Sequence, residues 1–267
     1  MYKQALEIHR KLFGEAFYKH AIEILRKIFE KNLPKIALSL YRLAAVYSEE
    51  RRYGEAEVLY KQALEILRKI YGEYHPDVAT ALNGLATVFI NQARYNEAEA
   101  LYKQALEIRR KIYGEYHPDV AILLRGLTEL YWLEGRYNDA EALLKQELEI
   151  EKRIFGENHP NIAASLNNLA ELYYEEGKYD EAEPLLKQAL EIFRKIYGED
   201  DFRVASIFFE LGTLLIARII KEKNSTYCNE ARNYLTKTRE LSLRLNNKDL
   251  TEKTDYSLKE LDGICPK

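Results

Sequence analysis

The sequence is poor in cysteine, proline and tryptophan, and it has no long apolar stretch. It contains two cysteines, six prolines and one tryptophan among 267 residues. Two cysteines alone suggest no disulfide framework, which fits a reducing compartment. No run of about 18 uncharged apolar residues occurs, so no membrane-spanning helix is predicted. The first ten residues carry charges throughout, unlike the apolar core of a signal peptide. We therefore expect a cytoplasmic protein without a membrane partner.

An excess of basic charge is also lacking. The chain has 40 Lys and Arg against 43 Asp and Glu, a net charge of -3. A general nucleic-acid binder normally needs a clear basic excess to neutralise phosphates. We therefore expect no nucleic-acid partner.

The chain instead contains a repeat of 42 residues. The segment that starts at Tyr60, YKQALEILRKIYGE, returns in similar form at Tyr102, Leu144 and Leu186. A fixed period of this size is typical of stacked helical repeats, in which each unit buries its apolar face against its neighbours. The repeat predicts an all-α protein that offers a surface to a partner.

Each repeat is predicted to hold two helices, here called helix A and helix B. Between His75 and Gly114, apolar residues recur at spacings of three and four in two stripes. The stripe of helix A is Val78, Leu82, Leu85, Ala86 and Phe89; that of helix B is Ala98, Leu101, Tyr102, Ala105, Ile108 and Ile112. Asp77 is predicted as the N-cap of helix A, as are Asp119 and Asn161 in later repeats. Gly114 is predicted to end helix B in a left-handed conformation. Each unit is thus expected to be an antiparallel hairpin.

Three regions follow from the spacing. Residues 35–200 are predicted to form four regular repeats, and residues 1–34 a truncated N-terminal part with two copies of helix B. These copies start at Tyr2 and Tyr18, without a helix A between them. This arrangement suggests a fragment, or a shortened copy, of a longer repeat protein. Residues 201–267 are predicted to form a degenerate repeat, with a polar loop near 221–227, and a final capping helix near 249–261.

The pattern resembles the tetratricopeptide repeat. Leu82, Leu85, Ala86, Phe89, Ala98, Tyr102 and Ala105 match the signature spacing of that family, although the third repeat has Thr128 in the place of Ala86. The 42-residue period, with Gly-Glu-x-His-Pro between units, is similar to the repeats of kinesin light chains and their relatives. The resemblance implies a right-handed solenoid of antiparallel helix pairs whose A helices line a concave groove.

Sites for chemistry are not predicted. Phosphate-binding loops, nucleophilic-serine motifs, zinc-protease motifs and Cys-x-x-Cys pairs are absent. His75, His117 and His159 recur once per repeat, but stacked equivalents lie about 8–10 Å apart, whereas the ligands of one metal ion lie about 2 Å from it. We therefore expect neither enzyme activity nor a cofactor or metal site, and each histidine is interpreted as part of the loop before helix A.

The candidate site is the face of each helix A that the hairpins do not use for packing, here called the groove face. Spacing assigns the following candidate residues to it: Arg42, Asn83, Thr87, Asn91, Arg125, Glu129, Trp132, Asn167, Asn168, Glu171 and Tyr174. Asparagine is unfavourable within a helix, and its amide can pair with an extended peptide backbone. Asn83 and Asn167 match the asparagine ladder that holds peptides in kinesin-light-chain-like grooves. Arg125 interrupts this ladder and is expected to meet an acidic side chain of the ligand. The alternative is that these polar residues are only solvated.

Two further features of this face bear on the ligand. Trp132 is interpreted either as an aromatic anchor for the ligand or as a contact between repeats. The later repeats carry Glu129, Glu171, Glu175 and Glu210, so the basic part of a mixed-charge ligand is expected there. We therefore predict a non-catalytic scaffold that binds an extended peptide segment. A regulatory or cargo-adaptor fragment of a larger assembly, such as a motor light chain or the sensor end of a signalling ATPase, is the alternative.

Overall fold

The computed structural model describes the backbone of residues 15–265 and the side chains of residues 32–265. Within these bounds the chain is helical and contains no strand. The helices are α1 (Glu15–Glu49), α2 (Tyr53–Tyr71), α3 (Pro76–Asn91), α4 (Tyr95–Tyr113), α5 (Pro118–Leu133), α6 (Tyr137–Phe155), α7 (Pro160–Glu175), α8 (Tyr179–Tyr197), α9 (Phe202–Glu222), α10 (Cys228–Arg244) and α11 (Lys248–Ile264). A short 3₁₀ turn, Ser225–Tyr227, precedes α10.

The helices form consecutive hairpins in two compact units, Met1–Gly114 and Glu115–Lys267. In the first unit α1 packs on α2, α2 on α3 and α3 on α4. In the second unit each helix from α5 to α11 likewise packs on the next along the chain. The predicted alternation of helix A and helix B is confirmed, with α3, α5, α7 and α9 as A helices and α2, α4, α6, α8 and α10 as B helices.

The core lies along the predicted apolar stripes. All five residues assigned to the stripe of helix A in the second regular repeat are buried in α3. In α4, Ala98 and Ala105 are fully buried, and Tyr102 and Ile108 nearly so, whereas Ile112 at the end of the stripe is 37% exposed. The small alanine side chains let neighbouring helix backbones approach closely. Buried apolar area of this kind is the main stabilising term in such repeats.

The predicted N-caps are wrong by two residues. His75, not Asp77, caps α3: its Nδ1 accepts a hydrogen bond from the backbone N–H of Asp77 at 3.2 Å. His117 and His159 cap α5 and α7 in the same way. Proline follows each histidine as the first helical residue, where its missing N–H costs nothing. The imidazole therefore takes the role that the sequence pattern had assigned to the carboxylate.

The turns at the ends of the hairpin helices lie where they were predicted. Gly114 ends α4 with a φ of 82° and a ψ of 177°; this positive-φ conformation is not the predicted left-handed helical one, but it is likewise open to glycine without steric cost. The tight turn between α3 and α4 has the same requirement, but there the residue is Ala93, with a φ of 57°. Its equivalents between later helices are Gly135 and Gly177.

The N-terminal helix crosses a predicted boundary. A helix B near residues 18–27 and a helix A from residue 35 were expected as separate elements, yet α1 runs from Glu15 to Glu49 with Pro34 inside it. Proline within a helix removes one hydrogen bond and costs about 3 kcal/mol. The division at residues 34 and 35 stays a prediction, and the helix B predicted at Tyr2 lies outside the described residues.

The C-terminal hairpin contains a disulfide bond, which corrects the expectation drawn from the small number of cysteines. Cys228 at the start of α10 is bonded to Cys265 just after α11, with their Cα atoms 6.0 Å apart. Disulfides persist mainly in oxidising compartments, so the cysteines no longer favour a reducing one. The predicted capping helix at 249–261 lies within α11. The polar loop predicted at 221–227 is shorter than expected, because α9 continues to Glu222.

Candidate functional site

In the first unit the candidate residues lie on α1 and α3. Arg42 and Thr87 are exposed, and Asn83 is half-buried. The hydroxyl of Thr87 donates to the carbonyl of Asn83 at 3.1 Å and lies 3.1 Å from the hydroxyl of Tyr102. Asn91 is also engaged: its Nδ2 donates to the carbonyl of Thr87 and its Oδ1 accepts from Tyr53 Oη. Thr87 and Asn91 are thus held by hydrogen bonds within the unit.

A cavity of about 310 Å³ also lies in the first unit. Its lining includes Leu38 and Tyr41 of α1 and Thr80 of α3. Leu38 is 48% exposed, so an apolar surface is open to solvent beside the polar candidate residues.

In the second unit the three candidate residues of α5 line one cavity of about 230 Å³. Arg125, Glu129 and Trp132 meet Asn168 and Glu171 of α7 there. Trp132 is half-buried, and its ring lies edge-on to that of Tyr137 at 6.3 Å between centroids. Trp132 therefore packs within its own hairpin and also borders the cavity, and its role as an anchor for the ligand or as a contact between repeats stays a prediction.

Two buried glutamates form ion pairs with Arg125. Its guanidinium donates to Glu147 Oε1 at 2.6 and 2.8 Å and to Glu151 Oε1 at 3.2 Å. Glu147 is fully buried and Glu151 is 2% exposed. The hydroxyl of Ser165 donates to Glu151 at 2.5 Å. Arg125 was predicted to be available to an acidic ligand, whereas the structure places it in ion pairs within the protein.

The two glutamates were not among the predicted site residues. The sequence carries a signal for them, because Glu147 stands where the other repeats have Ala63, Ala105 and Ala189. A carboxylate in a position of buried alanines requires a partner. Burial raises the pKa of Glu147, an effect that Arg125 opposes, and its Oε2 is buried without a hydrogen-bond partner.

A second cavity, of about 350 Å³, lies one repeat further along and opens between α7 and α9. Glu171 and Tyr174 border it, together with Glu175, Leu186 and Glu210. Asn167 and Asn168 are half-buried on the same helix, α7. Glu171 borders both cavities, so the structure brings most of the candidates from α5 and α7 together around two adjoining spaces.

Both cavities arise at the same pair of repeat positions. In the first unit, Tyr60 of helix B meets Gly84 of the following helix A: a Cβ added at Gly84 would lie 2.6 Å from the Tyr60 ring. In the second unit, the tyrosine is replaced by Leu144 or Leu186 and the glycine by Asn168 or Glu210. Each leucine–polar pair lines one of the two cavities. Loss of the ring opens the space, and the new polar side chain borders it.

The second cavity is acidic and contains no compensating cation. Among the described residues, no Lys, Arg or His forms an ion pair with Glu171, Glu175 or Glu210. Burial, together with the charge of Glu171, raises the pKa of Glu210 to about 7, while a hydrogen bond with Asn167 lowers it in part. Loss of contact with water and the charge of Glu175 also raise the pKa of Glu171. Like charges that face one cavity favour the binding of a cationic group.

The family assignment follows from the repeats once their geometry is known. The model of the tetratricopeptide repeat matches residues 12–69, 35–111, 77–153, 130–195 and 161–218. The chain belongs to the tetratricopeptide-repeat family. The predicted all-α tetratricopeptide solenoid is thereby confirmed, as is the kinesin-light-chain-like type of its repeats.

Solved structures with the same fold include relatives of kinesin light chains. One is a candidate kinesin light chain with nearly identical repeats from Podosopora anserina; it is 25% identical, with a TM-score of 0.69, over 80% of this chain and 99% of the other. Another is BtubC (BKLC) from P. vanneervenii, which is 22% identical, with a TM-score of 0.68, over 87% and 91% of the two chains. PilF of Pseudomonas aeruginosa is 18% identical, with a TM-score of 0.54, over 86% and 93%. No curated protein matches the sequence.

The fold sets the broad class of function. Tetratricopeptide repeats are protein-interaction scaffolds, and the fold is in general non-catalytic. None of the described helices combines the length and apolar character that a membrane crossing requires. Among the described side chains, no group of three or more His, Cys, Asp or Glu is placed to hold a metal ion.

Proposed function

We propose that this protein binds an extended peptide segment on the groove face of its A helices. The observation that supports the proposal best is the pair of adjoining cavities in the second unit, each opened by a leucine in place of a tyrosine. Cavities that a scaffold leaves open between its repeats are natural sites for the side chains of a peptide. Asn168 borders the first cavity with an amide that can pair with a peptide backbone.

The two cavities differ in chemistry, and this difference suggests the sequence of the ligand. The first has Trp132, Leu133 and Leu144 in its lining and suits an apolar side chain. The second has three carboxylates without an ion-pair partner among the described residues, together with Tyr174, and it suits the cationic head and the apolar stem of lysine or arginine. Neighbouring helices lie about 10 Å apart, and an extended chain rises about 3.3 Å per residue. We therefore expect the apolar and basic residues to stand two or three positions apart.

Selection from a random peptide library on the purified chain tests this proposal. Enriched peptides are expected to carry the apolar and basic pair at that spacing. The variant with Leu186→Tyr and Glu210→Gly restores the tyrosine–glycine pair of the first unit and fills the second cavity. It is expected to lose these peptides while circular dichroism and melting show a folded chain.

A charge-matched control separates a local effect from a general one. Glu171→Gln, Glu175→Gln and Glu210→Gln together remove the acidic lining, and the change of the exposed residues Glu65, Glu181 and Glu191 to Gln alters the net charge equally. Only the first set is expected to weaken binding, by about tenfold or more. Equal binding by the parent and both sets, or no enrichment of any peptide, would refute the proposed site.

A role as a light chain in a larger assembly is the second candidate. It is favoured by the similarity in fold to a candidate kinesin light chain and to BtubC (BKLC). The predicted cytoplasmic location would agree with it, but the disulfide bond would not. A thiol-trapping assay in cells tests the conflict: Cys228 and Cys265 protected from alkylation until reduction would exclude the cytoplasm of an ordinary cell.

A further inference from the structure

One apolar face of the N-terminal helix α1 is uncovered within the described residues. It consists of Ile36, Leu40, Leu43 and Val46, here called the α1 face. Ile36 is 40% exposed, Leu43 42% and Val46 46%. Ala37 and Ala44 of the same helix are fully buried, so α1 is packed on one side only.

The equivalent face of the next helix A shows how these residues are normally covered. One repeat later the same positions in α3 are Val78, Leu82, Leu85 and Val88, and their exposures are 0%, 0%, 3% and 0%. Helix α2, the helix B of the preceding repeat, packs against α3. The α1 face therefore has the shape and the composition of a surface that receives a helix B.

The chain contains a helix B sequence at the required place, but the structure directs it away from this face. Residues 18–29 precede residues 60–71 of α2 by 42 positions and repeat their sequence pattern. Between α2 and α3, a turn at Gly72 and an N-cap at His75 allow the chain to reverse its direction. The corresponding residues are Glu30 and Leu33, which provide neither device, and α1 continues straight.

This segment does not reach the α1 face of its own copy, because the helix is continuous between the two. The centres of residues 18–29 and of the α1 face lie about 26 Å apart along the helix axis, at 1.5 Å per residue. Residues 18–29 can therefore cover an α1 face only in another molecule.

We propose that a second copy of this chain covers the α1 face. Two α1 helices would lie antiparallel about a two-fold axis near residues 32 and 33, and residues 18–29 of each copy would cover the α1 face of the other. This is an exchange of identical elements, which a straightened hinge favours. The contact is reciprocal, so one interface covers both apolar faces and closes the assembly as a dimer. It does not depend on peptide binding by the groove face.

Light scattering during size-exclusion chromatography of the full chain tests this proposal. The parent is expected to be a dimer at micromolar concentration. Leu43→Glu together with Val46→Glu would bury four carboxylates per dimer and is expected to raise the dimer Kd at least about 100-fold. The matched control is Leu38→Glu, on the same helix with 48% exposure but on the opposite side, and it is expected to remain dimeric. A monomeric parent, or equal loss of the dimer in both variants, would overturn the proposal.

Two further variants test the exchange itself. Asn32→Cys places a thiol near the proposed two-fold axis and is expected to form an interchain disulfide on mild oxidation, seen as a dimer on a non-reducing gel. The variant with Glu30→Gly, Leu33→His and Lys35→Asp restores the turn and cap of the regular repeats. It is expected to be a folded monomer, since residues 18–29 then reach their own α1 face. A dimer that resists the turn variant, or that never cross-links through residue 32, would contradict the antiparallel exchange.

Discussion

The two units of the chain use one pair of repeat positions in opposite ways. In the first unit a tyrosine ring, Tyr60, lies against Gly84, which has no side chain to oppose it. In the second unit Leu186 and Glu210 occupy the same positions and line an open, acidic cavity. The backbone pattern is unchanged between them. Whether such a site is filled or open therefore depends on two side chains, a large one and a small one, exchanged together.

The second unit carries buried carboxylates that are not fully compensated. This is not true of every position, because Glu57 and its equivalent Glu141 each lie 2.6 Å from the lysine four residues later. In the second unit, Glu210 faces another carboxylate, and Glu147 keeps one oxygen buried without a partner. Unpaired and buried carboxylates lower the stability of a fold unless a ligand compensates them. The second unit thus has the uncompensated carboxylates that the proposed site would use.

The largest expected difference between the units concerns the disulfide, because both cysteines lie in the second. Reduction opens a link between residues 37 positions apart, and the chain-entropy model assigns about 4 kcal/mol to a loop of this size. We expect hydrogen exchange in α10 and α11 to speed up on reduction, while exchange in α2 and α3 stays unchanged. Cys228→Ser with Cys265→Ser should behave like the reduced parent. Equal protection of α10 and α11 in both redox states would contradict the expectation.

The next largest expected effect is on the free energy of unfolding and concerns Arg125, whose charge compensates two buried carboxylates. Arg125→Ala leaves Glu147 and Glu151 without their cation and is expected to lower the free energy of unfolding by roughly 2–4 kcal/mol. The estimate lies below that for a fully buried pair because the Arg125 side chain is 55% exposed. Asn167→Ala, at the same repeat position, should cost less than about 1 kcal/mol.

Urea denaturation measures both variants. Adding Glu147→Ala and Glu151→Leu to Arg125→Ala gives residues 147 and 151 the alanine and leucine that the first regular repeat has there. This triple variant should recover most of the loss, because the unpaired charges are gone. If the triple variant remained as unstable as Arg125→Ala, the charge cluster would not be the cause.

A pH-dependent effect is expected at Glu210. The folded chain raises its pKa from 4.5 to about 7, so between these values the folded state holds a proton that the unfolded chain has released. Stability should therefore fall as pH rises through this window. Glu210→Gln removes the titration and should stabilise the chain at pH 8 by about 1–3 kcal/mol. Melting temperatures from pH 4.5 to 8 measure this, with Glu191→Gln as the exposed control.

Much of this fold could be predicted from the sequence, because the same pattern of apolar residues and glycines recurs in each repeat. Four copies of one pattern locate the hairpins, and the glycine that ends α2, α4, α6 and α8 appears in the structure with positive φ. The caps were less predictable, since His75 and Asp77 both carry a suitable acceptor and only geometry selects the imidazole. The disulfide was missed because Cys228 and Cys265 come together only when α10 and α11 pack side by side.

The site was predictable in its position and less so in its chemistry. Spacing alone places Glu171 and Tyr174 on one face of a helix, and both border a cavity. That Arg125 is engaged by Glu147 depends on a contact with the next helix, which no pattern within a single helix contains. Departures from the repeat, such as glutamate among alanines, are the signal that points to such contacts.

The smallest expected effect concerns the turn between the two helices of a hairpin. Ala93 adopts a left-handed conformation with φ of 57°, and its equivalents in the second unit are Gly135 and Gly177. A left-handed conformation costs a residue with a Cβ about 1–2 kcal/mol, although glycine also gains freedom in the unfolded chain. Ala93→Gly is therefore expected to stabilise the chain by about 0.5–1 kcal/mol, and Gly135→Ala to destabilise it by a similar amount. Urea denaturation curves check the pair; a loss of stability in both variants would mean that the turn in the first unit differs from its counterpart in the second by more than this one residue.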